Sequence, residues 1–180
     1  MTEAPPRRER PAPKPVTADR LRRAALYYLQ RYSSSAEQLR SVLSRRVARS
    51  CRHHGQDPAS FEPVVAEIVA GCIRSGLVDD ARFAQARAAT LRRKGRSARA
   101  VSAGLAAKGV ARELVAATVS GGEAEELAAA LIAARRRRIG PWTPPGRERD
   151  RQRQLGMLLR AGFAMAIARR IVDAADEDSV

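Results

Sequence analysis

Cys51, His53 and His54 stand in one Cys-x-His-His run, and a thiol beside two imidazoles is a set that binds zinc. A closed zinc site needs four ligands, and the chain offers no second pair at a matching spacing. Its one other cysteine is Cys72, on an apolar helical face, and it has no further histidine. Asp79 and Asp80 are adjacent carboxylates able in principle to hold a divalent cation. Neighbouring residues at a helix start point in different directions, and the free N–H groups of a first turn explain Asp79 as an N-cap. Neither a G-x-x-x-x-G-K-[ST] phosphate loop nor a G-x-G-x-x-G turn occurs. No catalytic constellation remains, so the chain is expected to be no enzyme and to need no cofactor or metal.

Charge is the chemistry left over. Lys and Arg number 34 against 19 Asp and Glu, a formal net charge of +15. Such a field attracts polyanions: nucleic acid, a nucleoprotein, an anionic membrane or an acidic protein surface. The cations cluster. Arg92, Arg93, Lys94 and Arg96 crowd one helix turn, Arg135, Arg136, Arg137 and Arg138 another, and Arg45 with Arg46 form a weaker group. Cations at a helix C-terminus also have a structural reason, the helix dipole. Aromatic residues are 4% of the chain, so platforms for stacking single-stranded bases are nearly missing. Direct binding is therefore expected to be dominated by phosphates, weakly sequence-specific and strongly salt-dependent.

The elements that must carry these clusters read as helices throughout. Hydrophobic residues are 44%, mostly Ala, Leu and Val, which suits closely packed helices. Residues 1–18, rich in Pro and Arg, are expected to be a disordered arm. A first helix starts at Asp19 and a second follows a capping box of Ser34 with Glu37. Residues 49–60, with Gly55 and Pro58, read as a loop. Phe61 to Ile73 reads as a third helix with Ile73 inward. Asp79 caps the fourth, Gly95 ends it and Ser97 caps the fifth, which Gly109 follows. The sixth spans about 111–120, the seventh 123–138, the eighth 148–161 and the ninth 164–174. Residues 140–147 are expected to be non-helical and the acidic tail 176–180 to fray.

Nine helices in threes suggest an internal repeat. Lys108-Gly109-Val110 with Leu114, Val115, Thr118 and Val119 matches Ala161-Gly162-Phe163 with Ile167, Ala168, Ile171 and Val172, all at an offset of 162 − 109 = 53 residues. The predicted fold is all-α: three tandem three-helix repeats, 19–76, 77–121 and 122–175, forming an elongated, curved helical solenoid. The N-terminus lacks an apolar leader, and runs such as Leu127 to Ala134 are far shorter than a membrane span. A soluble, cytoplasmic monomer is expected.

The ordered series GLVDDARFA, the basic turn Gly95-Arg96-Ser97, and Leu105 to Lys108-Gly109-Val110 resembles the RecX family of recombination regulators. ALYYLQRYSSSAEQLRSVL looks like the family's opening module and LGMLLRAGFAMAIARRIV like its closing one. The resemblance covers about residues 19–173. One departure is Arg160-Ala161-Gly162-Phe163, where the family usually carries two basic residues before Gly-Phe. The resemblance implies a modulator of the recombinase RecA, lying in the groove of the RecA–DNA filament. It implies hindered filament growth and suppression of ATPase, strand exchange and coprotease activities; direct contact with single- or double-stranded DNA phosphates is an expectation from the charge alone. The alternative is a direct DNA binder of helix-turn-helix type with Gly109 or Gly162 in its turn. For that role helix six opens on Ala111-Arg112-Glu113, a sparse set for reading bases.

Overall fold

The computed structural model describes residues 12–179; positions 1–11 of the expected arm, and Val180, lie outside them. Among the described residues there are nine α-helices, two short 3-10 turns and no strand. They fall into two compact units divided between Val78 and Asp79.

The first unit holds α1 (Ala18–Leu29), α2 (Ala36–His54) and α3 (Glu62–Arg74). Leu39, Leu43, Val47 and Cys51 recur every fourth residue on α2, so one stripe of the helix is buried against Leu21, Ala25, Val65, Ile68 and Val69. That stripe explains why residues 49–54 are helical rather than loop. Ser50 and Cys51 are buried, Arg52, His53 and His54 suit the C-terminal end of the dipole, and only then does Gly55, at φ 67°, turn the chain. The remainder of the expected loop tightens into a 3-10 turn, Pro58–Phe61, opened by the Asp57 carboxylate. The first two helices start slightly differently from expectation. Thr17 caps α1, with Asp19 inside the first turn. Ser35 caps α2 by accepting from the Gln38 N–H at 3.1 Å, while the Ser34 hydroxyl donates to the Ser35 carbonyl. Ile73 is 49% exposed, one position past the stripe that buries Val69 and Cys72.

Residues 12–17 are tied down rather than loose. The Ser50 hydroxyl donates to the Lys14 carbonyl at 2.9 Å, and His54 Nε2 lies 2.8 Å from the Pro13 carbonyl. Val16 packs on the core. Cys51 and His54 are thus turned to separate structural tasks. Cys51 and Cys72 are both buried, and burial pushes the Cys72 thiol up. A higher pKa means less thiolate at neutral pH. Neither thiol should react with an aromatic disulfide reagent at pH 7 until urea unfolds the chain. Reaction at the rate of a free thiol would contradict this burial.

The second unit holds α4 (Asp80–Arg93), α5 (Ala98–Ala106), α6 (Arg112–Thr118), α7 (Glu123–Arg137), α8 (Arg151–Arg160) and α9 (Met165–Val172). Two cores share it. Phe83, Ala84, Ala88, Val101, Leu105, Val110 and Val115 close α4–α6. Ala130, Ala134, Ile139, Leu158, Phe163, Ile167 and Ile171 belong to the core of α7–α9. The sequence repeat has a local cause. The Val110 N–H donates to the Leu105 carbonyl at 3.3 Å, and the Phe163 N–H to the Leu158 carbonyl at 3.2 Å. Each bond closes a helix through a left-handed glycine and swings an apolar residue back onto the core.

Helix ends differ from expectation where caps intervene. Asp150 caps α8 by accepting from the Arg153 N–H, so that helix starts at Arg151. Helix α7 stops at Arg137 because Arg138 turns left-handed at φ 57°. Gly140–Trp142 forms a 3-10 turn within the stretch expected to be non-helical. The acidic tail does not simply fray. Glu177 pairs with Arg135 at 2.7 Å and accepts from the Trp142 indole N–H.

Candidate polyanion interface

The turn between α4 and α5 carries the strongest predicted cluster, and the structure divides that cluster. Arg92 is not part of an open surface. Its side chain is 17% exposed and forms an ion pair with Glu126 of α7, itself 15% exposed. Both Glu126 oxygens also accept from the Ala98 N–H, at 3.1 and 2.9 Å. One carboxylate therefore neutralises the cation at the end of α4 and satisfies a free amide at the start of α5. The physical reason for the division is position: Arg92 projects from the last turn of α4 toward α7, where it pairs with Glu126, whereas Arg93, Lys94 and Arg96 are exposed.

Close backbone contact holds the same turn. A Cβ at Gly95, where φ is 70°, would stand 2.7 Å from the Ala133 nitrogen and 3.1 Å from the Ala129 carbonyl oxygen. Only glycine lets the turn lie flat on α7. Ser97 then does two jobs. Its hydroxyl accepts from the Ala100 N–H at 3.2 Å as the N-cap of α5, and donates to the Ala161 carbonyl at 2.7 Å, just before Gly162. The end of α4, the start of α5, helix α7 and the α8–α9 turn thus meet at one joint.

The joint brings the second cluster to the first. Arg136 Nη1 donates to the Lys94 carbonyl at 3.1 Å, so the end of α7 lies beside the exposed end of α4. Arg93, Lys94, Arg96 and Arg136 form one cationic surface on a braced turn. The rest of the second cluster is more dispersed. Arg135 sits 5.3 Å from the Trp142 ring centroid and is partly neutralised by Glu177. Arg137 donates to the Met157 carbonyl at 3.2 Å. Arg138 is exposed at a left-handed backbone position, a conformation that costs a non-glycine residue about 1 kcal/mol.

Arg45 and Arg46 lie exposed on α2 in the first unit. Arg46 lines a cavity of about 1190 Å³ together with Lys14, Arg20, Arg23, Arg49 and Tyr27, none of which the sequence singled out as one site. The signal was present only in part. Arg20 and Arg23 are three residues apart on α1, as are Arg46 and Arg49 on α2, but nothing local says that the two pairs face each other. No group of three His, Cys, Asp or Glu able to hold a metal occurs among the described residues, and no helix there is long and apolar enough to cross a membrane.

Comparison with known proteins gives a consistent answer. The model of the second three-helix domain of RecX matches residues 79–119, the stretch from the cap of α4 to the end of α6. A regulatory protein RecX from Myxococcus xanthus is 43% identical over 165 residues, 89% of this chain and 88% of its own. Regulatory proteins RecX from Agrobacterium fabrum and Halorhodospira halophila are 29% and 31% identical, covering 88% and 91% of this chain and 84% and 92% of theirs. No solved structure matches.

Proposed function

The chain belongs to the RecX family, and from that premise we propose that it binds the RecA–DNA filament and restrains it, inhibiting ATP hydrolysis, strand exchange and coprotease activity. It does so in the cytoplasm, as a monomer, without a cofactor or chemistry of its own. The observation that carries this reading is the braced cationic surface of Arg93, Lys94, Arg96 and Arg136. A rigid turn presents its charges without the entropy loss of ordering a loop on binding. Arg135, Arg137, Arg138, Arg45 and Arg46 extend the basic surface, and Arg92 serves by fixing the turn.

The three-helix modules, 19–76, 77–121 and 122–175, act as successive contacts on successive parts of the filament. Each later contact then forms at high effective concentration, so modest contacts suffice. The test is sedimentation of preassembled RecA–single-stranded DNA filaments with the protein. It should pellet with filaments and fall away as salt rises, since phosphate-linked binding weakens steeply with ionic strength. Protein left in the supernatant at physiological salt would defeat the proposal. Pelleting with DNA alone to the same extent would favour a direct DNA binder instead.

A further inference from the structure

We propose that the cavity of the first unit is a binding groove for single-stranded nucleic acid, with phosphates held by Lys14, Arg23, Arg46 and Arg49 and a base stacked on Tyr27. The proposal rests on that unit alone and holds whether or not the chain meets a RecA filament.

The groove is built from three pieces of chain. Residues 13–16 form one wall, α1 supplies Arg20, Leu21, Arg23, Ala24 and Tyr27, and α2 supplies Arg46, Arg49 and Ser50. The first wall is fixed from both helices. Ser50 holds the Lys14 carbonyl, His54 the Pro13 carbonyl, and Arg20 Nη1 donates to the Pro15 carbonyl at 2.7 Å. The floor, Val16, Leu21 and Ala24, is apolar and suits a sugar or a base edge.

Charge separates this groove from the rest of the unit. Three arginines of the unit outside the groove have a carboxylate partner: Arg22 pairs with Asp19 on α1, Arg40 with Glu37 on α2 and Arg74 with Glu67 on α3. Five cations line the cavity and, among the described residues, no carboxylate does. Among the described residues no acidic group pairs with Lys14, Arg20, Arg23, Arg46 or Arg49. Like charges gathered around one concavity repel each other, and low-dielectric walls strengthen the field there. A polyanion relieves that repulsion.

Tyr27 decides between anions. It is 60% exposed in a chain poor in aromatic residues, and the Arg31 guanidinium lies 3.7 Å from its ring centroid. A cation over one face fixes and polarises the ring. An aromatic at the mouth of a cationic groove is what unpaired bases need, because a base can stack on it while the backbone follows the charges. A duplex keeps its bases stacked inside and offers the tyrosine nothing.

The experiment titrates the full chain, without RecA, into labelled oligothymidylate and into a duplex of equal length, and reads fluorescence anisotropy at two or more salt concentrations. The single strand should bind more tightly than the duplex. Tyr27→Ala should weaken the single strand by about tenfold with little effect on the duplex, the size expected for one base–aromatic stack, and Tyr27→Phe should bind as wild type. Replacing Arg23, Arg46 and Arg49 by Ala should weaken binding further and lower the salt slope by about two, with Lys at the three positions keeping most of it. These side chains are exposed, so circular dichroism melts should be unchanged. Equal affinity for both DNAs together with a silent Tyr27→Ala would overturn the proposal, as would a triple Ala variant with wild-type binding. Filament pelleting measures the other reading separately, so either can fail alone.

Discussion

Glu126→Ala should destabilise the second unit by about 2 kcal/mol, below what breaking a fully buried ion pair costs, because both partners keep some exposure. The loss has two parts. Arg92 keeps its charge in a site where its side chain is 17% exposed, and the Ala98 amide loses both of its carboxylate acceptors. Arg92→Ala should cost less, because the carboxylate loses its cation but still accepts from the Ala98 amide. The double variant should cost clearly less than the sum, since the second change removes the group the first had stranded. Urea unfolding of the four proteins gives the coupling energy directly. Strict additivity would mean that the pair is a surface contact. The glycine at the same joint gives an independent reading. Gly95→Ala combines a left-handed φ with a 2.7 Å approach to the α7 backbone, and should be at least as damaging as the loss of the carboxylate.

Removal of the neighbouring charges has the opposite profile. Arg93→Ala, Lys94→Ala and Arg96→Ala together should leave the urea midpoint close to wild type, because exposed substitutions away from packing usually change stability by under about 0.5 kcal/mol each. Filament binding should fall by tenfold or more and lose part of its salt dependence. Arg92 and Arg93 are adjacent in sequence and sit in one basic run, yet their variants should separate into a stability defect and a binding defect. Undiminished filament binding by the triple variant would reduce the cluster to a solvated helix end that serves the α4 dipole.

That separation marks what one sequence can and cannot tell. The helices were legible because local rules set them: Asp79 and Ser97 cap where spacing placed them, and Glu123 opens α7. The 53-residue repeat was legible because the same helix closure is written twice, at Gly109 and Gly162. Where local rules competed, tertiary burial decided. Cys51 continues a stripe that stops only at Gly55, and Glu177 finds Trp142 and Arg135 in a tail too polar to suggest a partner. The candidate surface was only half legible. A basic run reveals charge but not direction, and nothing near Arg92 points to Glu126 far along the chain. The groove of the first unit was missed for the same reason: Lys14, Arg23 and Arg49 lie on three segments, and Tyr27 counted as one aromatic in a chain with few.

ATP hydrolysis by RecA on single-stranded DNA is the most direct test of the central claim. Wild-type protein added at stoichiometric ratio and physiological salt should lower the steady-state rate, and the Arg93, Lys94 and Arg96 triple variant should restore most of it. An unchanged rate with the wild-type chain would contradict the account.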